Sequence, residues 1–117
     1  MPIVLNLRYY PDEDASDIVF RKVYVIGGKD IDGNPIDRTV TDAHFKIAVD
    51  EAEIVDLTIG NGISWDDITK SLVLTLTNGD LSEISQSTDG LFQLYITIET
   101  GRIITLFSGR AYMERSL

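Results

Sequence analysis

A chain of 117 residues with 44% hydrophobic side chains is long enough for one domain with a core of its own. It contains no cysteine, which excludes a disulfide scaffold, a thiolate-bound zinc or iron–sulfur centre and a thiol nucleophile. Its net charge of −9, from 19 acidic and 10 basic residues, argues against nucleic acid and anionic membrane as partners, because both attract Lys and Arg.

The first strand is predicted over residues 3–10, where Ile3, Leu5, Leu7 and Tyr9 alternate with Asn6 and Arg8. This opening lacks a basic region followed by a long apolar stretch, so no signal peptide is expected. No window approaches the roughly 18 unbroken apolar residues of a membrane helix. An acidic loop follows at 11–16. Residues 18–26 set Val19, Val23 and Val25 against Phe20 and Tyr24; apolar on both sides in places, the segment reads as a central strand. Residues 27–35 form a long turn containing Gly33, Asn34 and Pro35, with a short edge piece at 36–41.

Ala43, Phe45, Ile47 and Val49 then alternate with His44, Lys46 and Asp50, the mark of a half-buried strand. Val55, Leu57 and Ile59 continue the pattern up to the break Gly60-Asn61-Gly62. Ile63-Ser64-Trp65 reads as a short strand ending at Asp66-Asp67, and Leu72, Leu74 and Leu76 define another. A helical turn is predicted within 79–87, with Asp80 as N-cap and Glu83 three residues on. Phe92, Leu94, Ile96 and Ile98 alternate with Gln93, Tyr95, Thr97 and Glu99. A break at Thr100-Gly101 makes this the first arm of a hairpin, with 102–108 as the second. Ala111 and Met113 extend that last strand, and the shift of apolar phase between Leu106 and Ala111 predicts a bulge across Ser108-Gly109.

About seven strands, without internal repeat or linker, predict an all-β domain over 1–117. The expected architecture is an antiparallel β-sandwich of immunoglobulin-like type, with a small closed barrel as the other form this rhythm allows.

Reactive chemistry is sparse. His44 is the sole histidine, and it shares a polar strand face with Lys46; no nucleophile elbow or second histidine accompanies it, so no catalytic residue is assigned. The carboxylates gather as Asp12, Glu13 and Asp14, as Asp50, Glu51 and Glu53, and as Asp66 and Asp67. The fragment Asp30-Ile31-Asp32-Gly33-Asn34 has part of a calcium-loop pattern, but it lacks the closing glutamate and the flanking helices, so no metal or cofactor is expected. Tyr10, Trp65, Tyr95 and Tyr112 are the candidate interface residues, since aromatic side chains dominate contact surfaces.

The run Val55-Asp56-Leu57-Thr58-Ile59-Gly60-Asn61-Gly62-Ile63 resembles a stretch of small immunoglobulin-like domains encoded in the structural gene clusters of tailed phages and prophages. So do Leu72-Val73-Leu74-Thr75-Leu76-Thr77 and the closing pattern Gly90–Ile96, Gly101–Leu106 and Ser108–Ala111. The N-terminal domain of phage baseplate upper proteins is similar in this respect. Two features depart from the family: Asn78-Gly79 stands where it usually has a proline, and the N-terminal part differs. The resemblance covers about residues 40–115. It implies a non-enzymatic virion structural or adaptor protein of the tail, baseplate or fibre attachment region. Such a protein would be assembled in the bacterial host cytoplasm and contact other virion proteins and further copies of itself. A carbohydrate- or calcium-dependent binding module is the alternative, and a small enzyme or enzyme inhibitor, which would require a concave pocket with converging carboxylates or His44, a more distant one.

Overall fold

The computed structural model describes residues 3–25, 32 and 39–116. Among them are eight strands: β1 (Ile3–Tyr9), β2 (Ile18–Val25), β3 (Val40–Val49), β4 (Ala52–Ile59), β5 (Gly62–Asp66), β6 (Ser71–Thr77), β7 (Thr88–Ile98) and β8 (Ile103–Arg115). They form one sheet in the order β1-β8-β7-β3-β4-β5-β6-β2, curled until it is nearly closed as a barrel. The expected all-β class holds. The expected all-antiparallel pairing does not, because β1 runs parallel to β8 and β4 parallel to β5.

The two parallel pairs differ in origin, one joining distant segments and the other arising from a local corner. β1 and β8 come from opposite ends of the chain, so no short hairpin dictates their direction. Between β4 and β5 the chain makes a corner. Thr58 and Asn61 exchange backbone hydrogen bonds of 3.0 and 2.9 Å, and the Gly60 N–H donates to the Ile63 carbonyl at 2.9 Å. Gly60 and Gly62 both have φ near +89°, a region closed to most side chains, and this steps the chain sideways by one strand without reversing it.

Alternation locates the core. Ala43, Phe45 and Ile47 on β3, Val55 and Leu57 on β4, and Leu72, Leu74 and Leu76 on β6 are buried, as are Phe92, Leu94, Ile96 and Ile98 on β7. All are even or odd members of one strand, as a period of two requires. Burying each large aliphatic side chain contributes about 1.5–3 kcal/mol before the chain entropy is subtracted. Leu81 and Ile84 close the cluster beneath the β6–β7 connection.

Three local expectations need correction. β2 is not central: among the described residues it pairs only with β6 and ends the sheet, leaving Ile18, Val23 and Val25 exposed. Its mixed apolar pattern is that of a rim strand, three of whose four aliphatic residues face water. The helical turn is shorter and earlier, a 3-10 turn at Asn78–Leu81. Thr77 caps it, donating its N–H and its hydroxyl to the Asp80 carboxylate at 2.8 and 3.0 Å, so Asp80 serves as the third helical residue and Glu83 stays exposed. The bulge falls at Leu106, not at Ser108-Gly109. Leu94 faces Phe107 while Tyr95 faces Thr105, so one residue of β8 is skipped and its inward phase passes from Ile104 to Phe107, Ala111 and Met113. Of the edge piece expected at 36–41, Val40 and Thr41 belong to β3, and 36–38 lie outside the described residues.

Candidate interaction surface

The outward face of β7, β3 and β4 is built by the odd-even counterpart of the core pattern. Directly opposite Tyr95 on β7 stands His44 on β3, and their rings stack at 5.1 Å between centroids. The imidazole lies between two carboxylates, with Nε2 3.2 Å from Asp42 and Nδ1 3.3 Å from Asp56. An imidazolium can donate to both at once, whereas the neutral ring donates to only one. Beside it, the Lys46 ammonium donates to Glu53 at 3.1 Å and sits 5.8 Å from the centre of the Tyr95 ring. The hydrogen bond to Glu53, followed by Tyr95, holds the Lys46 amine above its ordinary pKa. Gln93 reaches Thr105 on β8 at 3.2 Å.

Toward the other end of the same face the side chains become less tied. Register places Val4 beside Arg110, Arg110 beside Leu91 and Leu91 beside Ala48, a row across β1, β8, β7 and β3. Val4 and Leu91 are exposed. An open groove of about 520 Å³ runs past Lys46, Ala48, Leu91, Gln93 and Gly109. Arg110 donates to the Tyr112 hydroxyl at 3.4 Å, and this contact, its largest influence, raises the guanidinium pKa. At the β1 rim Arg8 pairs with Glu114 at 2.7 Å and lies 6.0 Å from the Tyr10 ring centre.

The four candidate interface aromatics do not converge. Tyr112 and Tyr10 lie toward the β1–β8 edge and are exposed, while Tyr95 is half-buried within the stack just described. Tyr95 pairs with Thr105, seven residues from Tyr112 along β8, or roughly 23 Å at the rise of a strand. Trp65, on β5, is half-buried against the core. Its indole N–H is buried without a well-formed hydrogen bond, although it helps depress the pKa of the neighbouring Asp67. The main cause of that depression is Lys70, which donates to Asp67 at 2.7 Å.

The acidic groups remain separate as well. Asp14 accepts the Ser16 N–H and hydroxyl at 2.9 and 2.8 Å, which lowers its pKa. Asp50 lies in the β3–β4 turn and not on the His44 face. Asp66 accepts the backbone N–H of Ile68 at 2.9 Å, an Asx turn. Among the described residues no three carboxylates or imidazoles gather as metal ligands. Of the calcium-like fragment, Asp32 alone is described, and it is exposed; Asp30, Ile31, Gly33 and Asn34 lie outside the described residues.

One element was missed altogether by sequence reasoning. Asn78 is buried and ties the end of β1 to the turn after β6. Its Oδ1 accepts the Tyr10 N–H at 2.9 Å, and its Nδ2 donates to the Tyr10 carbonyl at 2.8 Å. The Asn-Gly dipeptide signals a turn and says nothing of a partner 68 residues away. The outward stack of His44, Lys46 and Tyr95 was half legible, since period two gives each residue's face but not the cross-strand register. No family model, curated protein or solved structure matches the chain.

Proposed function

We propose that this protein is a non-enzymatic docking module that works through protein–protein contacts, as a structural or adaptor component of a tailed-phage or prophage particle. The observation that carries the docking part is the outward sheet face. There Tyr112 and Arg110, side chains of the kind that dominate binding energy, stand beside exposed Val4 and Leu91, on strands whose other face is the core. Such a surface is rigid before a partner arrives, so little ordering entropy is lost on association.

The phage part rests on the sequence resemblance. The resembling residues occupy the places where the chain's course is decided: Gly60-Asn61-Gly62 makes the β4–β5 corner, and the 90–111 pattern makes the β7–β8 hairpin. We read the curled sheet as an immunoglobulin-like sandwich, with β1-β8-β7-β3-β4 as one layer and β5-β6-β2 as the other. The contact of Tyr24 on β2 with Phe107 on β8, ring centroids 4.8 Å apart, supports this by bringing the two ends of the strand order face to face. Repeated copies on a symmetric particle would add avidity to a modest single contact.

Light scattering of the purified chain, a thermal-shift series with calcium and glycans, and the identity of neighbouring genes test the proposal together. A stable oligomer with no ligand-dependent melting shift, flanked by virion genes, is expected. A monomer that calcium or a glycan stabilises, flanked by metabolic genes, would replace the proposal with the binding-module alternative.

A further inference from the structure

We propose that the free edge of β2 is a docking strand for an acidic extended segment of another protein, which adds to the sheet beside β2. The inference rests on the docking reading above and goes beyond it by assigning an edge and the chemistry of its partner.

Among the described residues β2 pairs with β6 and with no other strand; β1, at the other end of the strand order, comes near it without forming a ladder, so alternate backbone N–H and C=O groups between Ile18 and Val25 lack a strand partner. Among the described residues, no further backbone hydrogen bond involves residues 18–25. The edge is apolar enough to hold a strand, with Ile18, Val23 and Val25 exposed at 60, 44 and 73%. An edge of this kind ordinarily invites a second copy of the same chain. Arg21 and Lys22 argue against that occupant.

Register places Arg21 beside Thr75, on the outward face, and Lys22 beside Leu74, on the face that carries the core. Lys22 is therefore a cation at the inner rim of an edge strand, a position where a neighbouring strand would cover it. Two β2 strands paired about their centres would bring four cations together and bury two of them, at a high desolvation cost. An incoming strand with adjacent acidic residues changes the sign of both terms. Consecutive residues of a strand face opposite sides, so one carboxylate meets Arg21 outside and the other meets Lys22 at the rim. Both cations are exposed, and neither has an ion-pair or hydrogen-bond partner among the described residues, in a chain where carboxylates outnumber cations. The pair thus discriminates against self-association and selects a partner of opposite charge.

The test is an NMR titration of the whole chain with two synthetic octapeptides, Thr-Val-Thr-Glu-Glu-Thr-Val-Thr and its Lys-Lys counterpart. The expected result is amide shifts concentrated at 18–25 with the Glu-Glu peptide only, and a Kd on the order of 0.1–1 mM. The double variant Arg21→Glu/Lys22→Glu should lose at least roughly tenfold in affinity for that peptide and gain affinity for the Lys-Lys one. Arg21→Gln/Lys22→Gln serves as a milder variant if charge reversal disturbs the fold. Absence of shifts at millimolar peptide, equal binding of both peptides, or a dimer that protects the β2 amides would each overturn the proposal. The docking reading is tested separately: if the chain still oligomerises through its outward face, that reading stands although the edge assignment has failed.

Discussion

β7 and β2 use the same residue types to opposite effect. On β7, Phe92, Leu94, Ile96 and Ile98 are at most 5% exposed; on β2, Ile18, Val23 and Val25 lie open to water. The difference comes from their neighbours. β7 is hydrogen-bonded on both sides, by β8 and β3, and one of its faces covers the core. β2 has β6 alone, and its register opposes Val23 to Val73 and Val25 to Ser71, on the outward face. Apolar alternation therefore reports burial only where strands flank the segment and a layer lies beneath it. On a terminal strand the same pattern leaves a docking edge.

The largest effect that could break this contrast comes from placing one charge in each strand. Leu94→Asp puts an unpaired carboxylate among Phe45, Phe92 and Ile96 and should unfold the domain, a loss above about 4 kcal/mol. Val25→Asp, on the exposed rim, should cost at most about 1 kcal/mol, from lost strand propensity. Urea denaturation followed by circular dichroism reads both. A folded Leu94→Asp variant would mean that the β7 phase is reversed.

Asn78 joins the two regions, because it fastens the end of β1 to the turn that leaves β6. Asn78→Ala abolishes its hydrogen bonds to Tyr10 and strands that residue's N–H and carbonyl near the interior. The expected loss is about 2–3 kcal/mol, with amide exchange accelerating first in β1. A loss below about 0.5 kcal/mol would show that the sheet ends hold together without this tie.

Gly90 probes how closely β7 lies on β3. A Cβ there would meet the Ala48 carbonyl oxygen at 2.5 Å and a methyl of Val49 at 3.1 Å, so the two strands must part. Gly90→Ala should destabilise by about 1–3 kcal/mol, measured by the same denaturation. An unchanged midpoint would mean that this end of the layer is loose.

Strand interiors were the most legible part of the sequence. The faces of β3, β6 and β7 follow directly from Phe45, Leu74 and Leu94 and their neighbours at spacing two. The glycine expected to turn the last hairpin, Gly101, does so at φ +84°. What the sequence did not disclose depends on contacts between distant residues. Whether β2 is central or terminal turns on how many partners it finds, and Val23 looks the same in either case. The bulge at Leu106 follows from pairing with Leu94 and Tyr95, although the phase change showed that a bulge must exist. The candidate surface was legible only as single residues. Tyr95, His44 and Lys46 were each placed on polar faces, but their stacking needs the β3–β7 register, which local pattern does not fix.

The smallest prediction concerns a place where the well-ordered layer overrides its own local sequence. β3 and β4 are joined by the two-residue turn Asp50-Glu51, flanked by the pair Val49 and Ala52. Both turn residues are left-handed, at φ 51° and 68°, the geometry of the mirror-image hairpin turn that favours Asn-Gly. Asp tolerates this region moderately and Glu poorly, so strand pairing and the core hold the turn against its own preference. Asp50→Asn with Glu51→Gly should therefore stabilise the domain by about 1 kcal/mol, seen as a higher denaturation midpoint at unchanged slope. The same change removes two carboxylates from a chain of net charge −9, and relief of repulsion could raise the midpoint as well. Salt separates the two causes. A backbone effect persists at 0.5 M sodium chloride, where exposed charges more than about 5 Å apart are largely screened. A gain that disappears there would belong to charge and would show that the turn carries no strain.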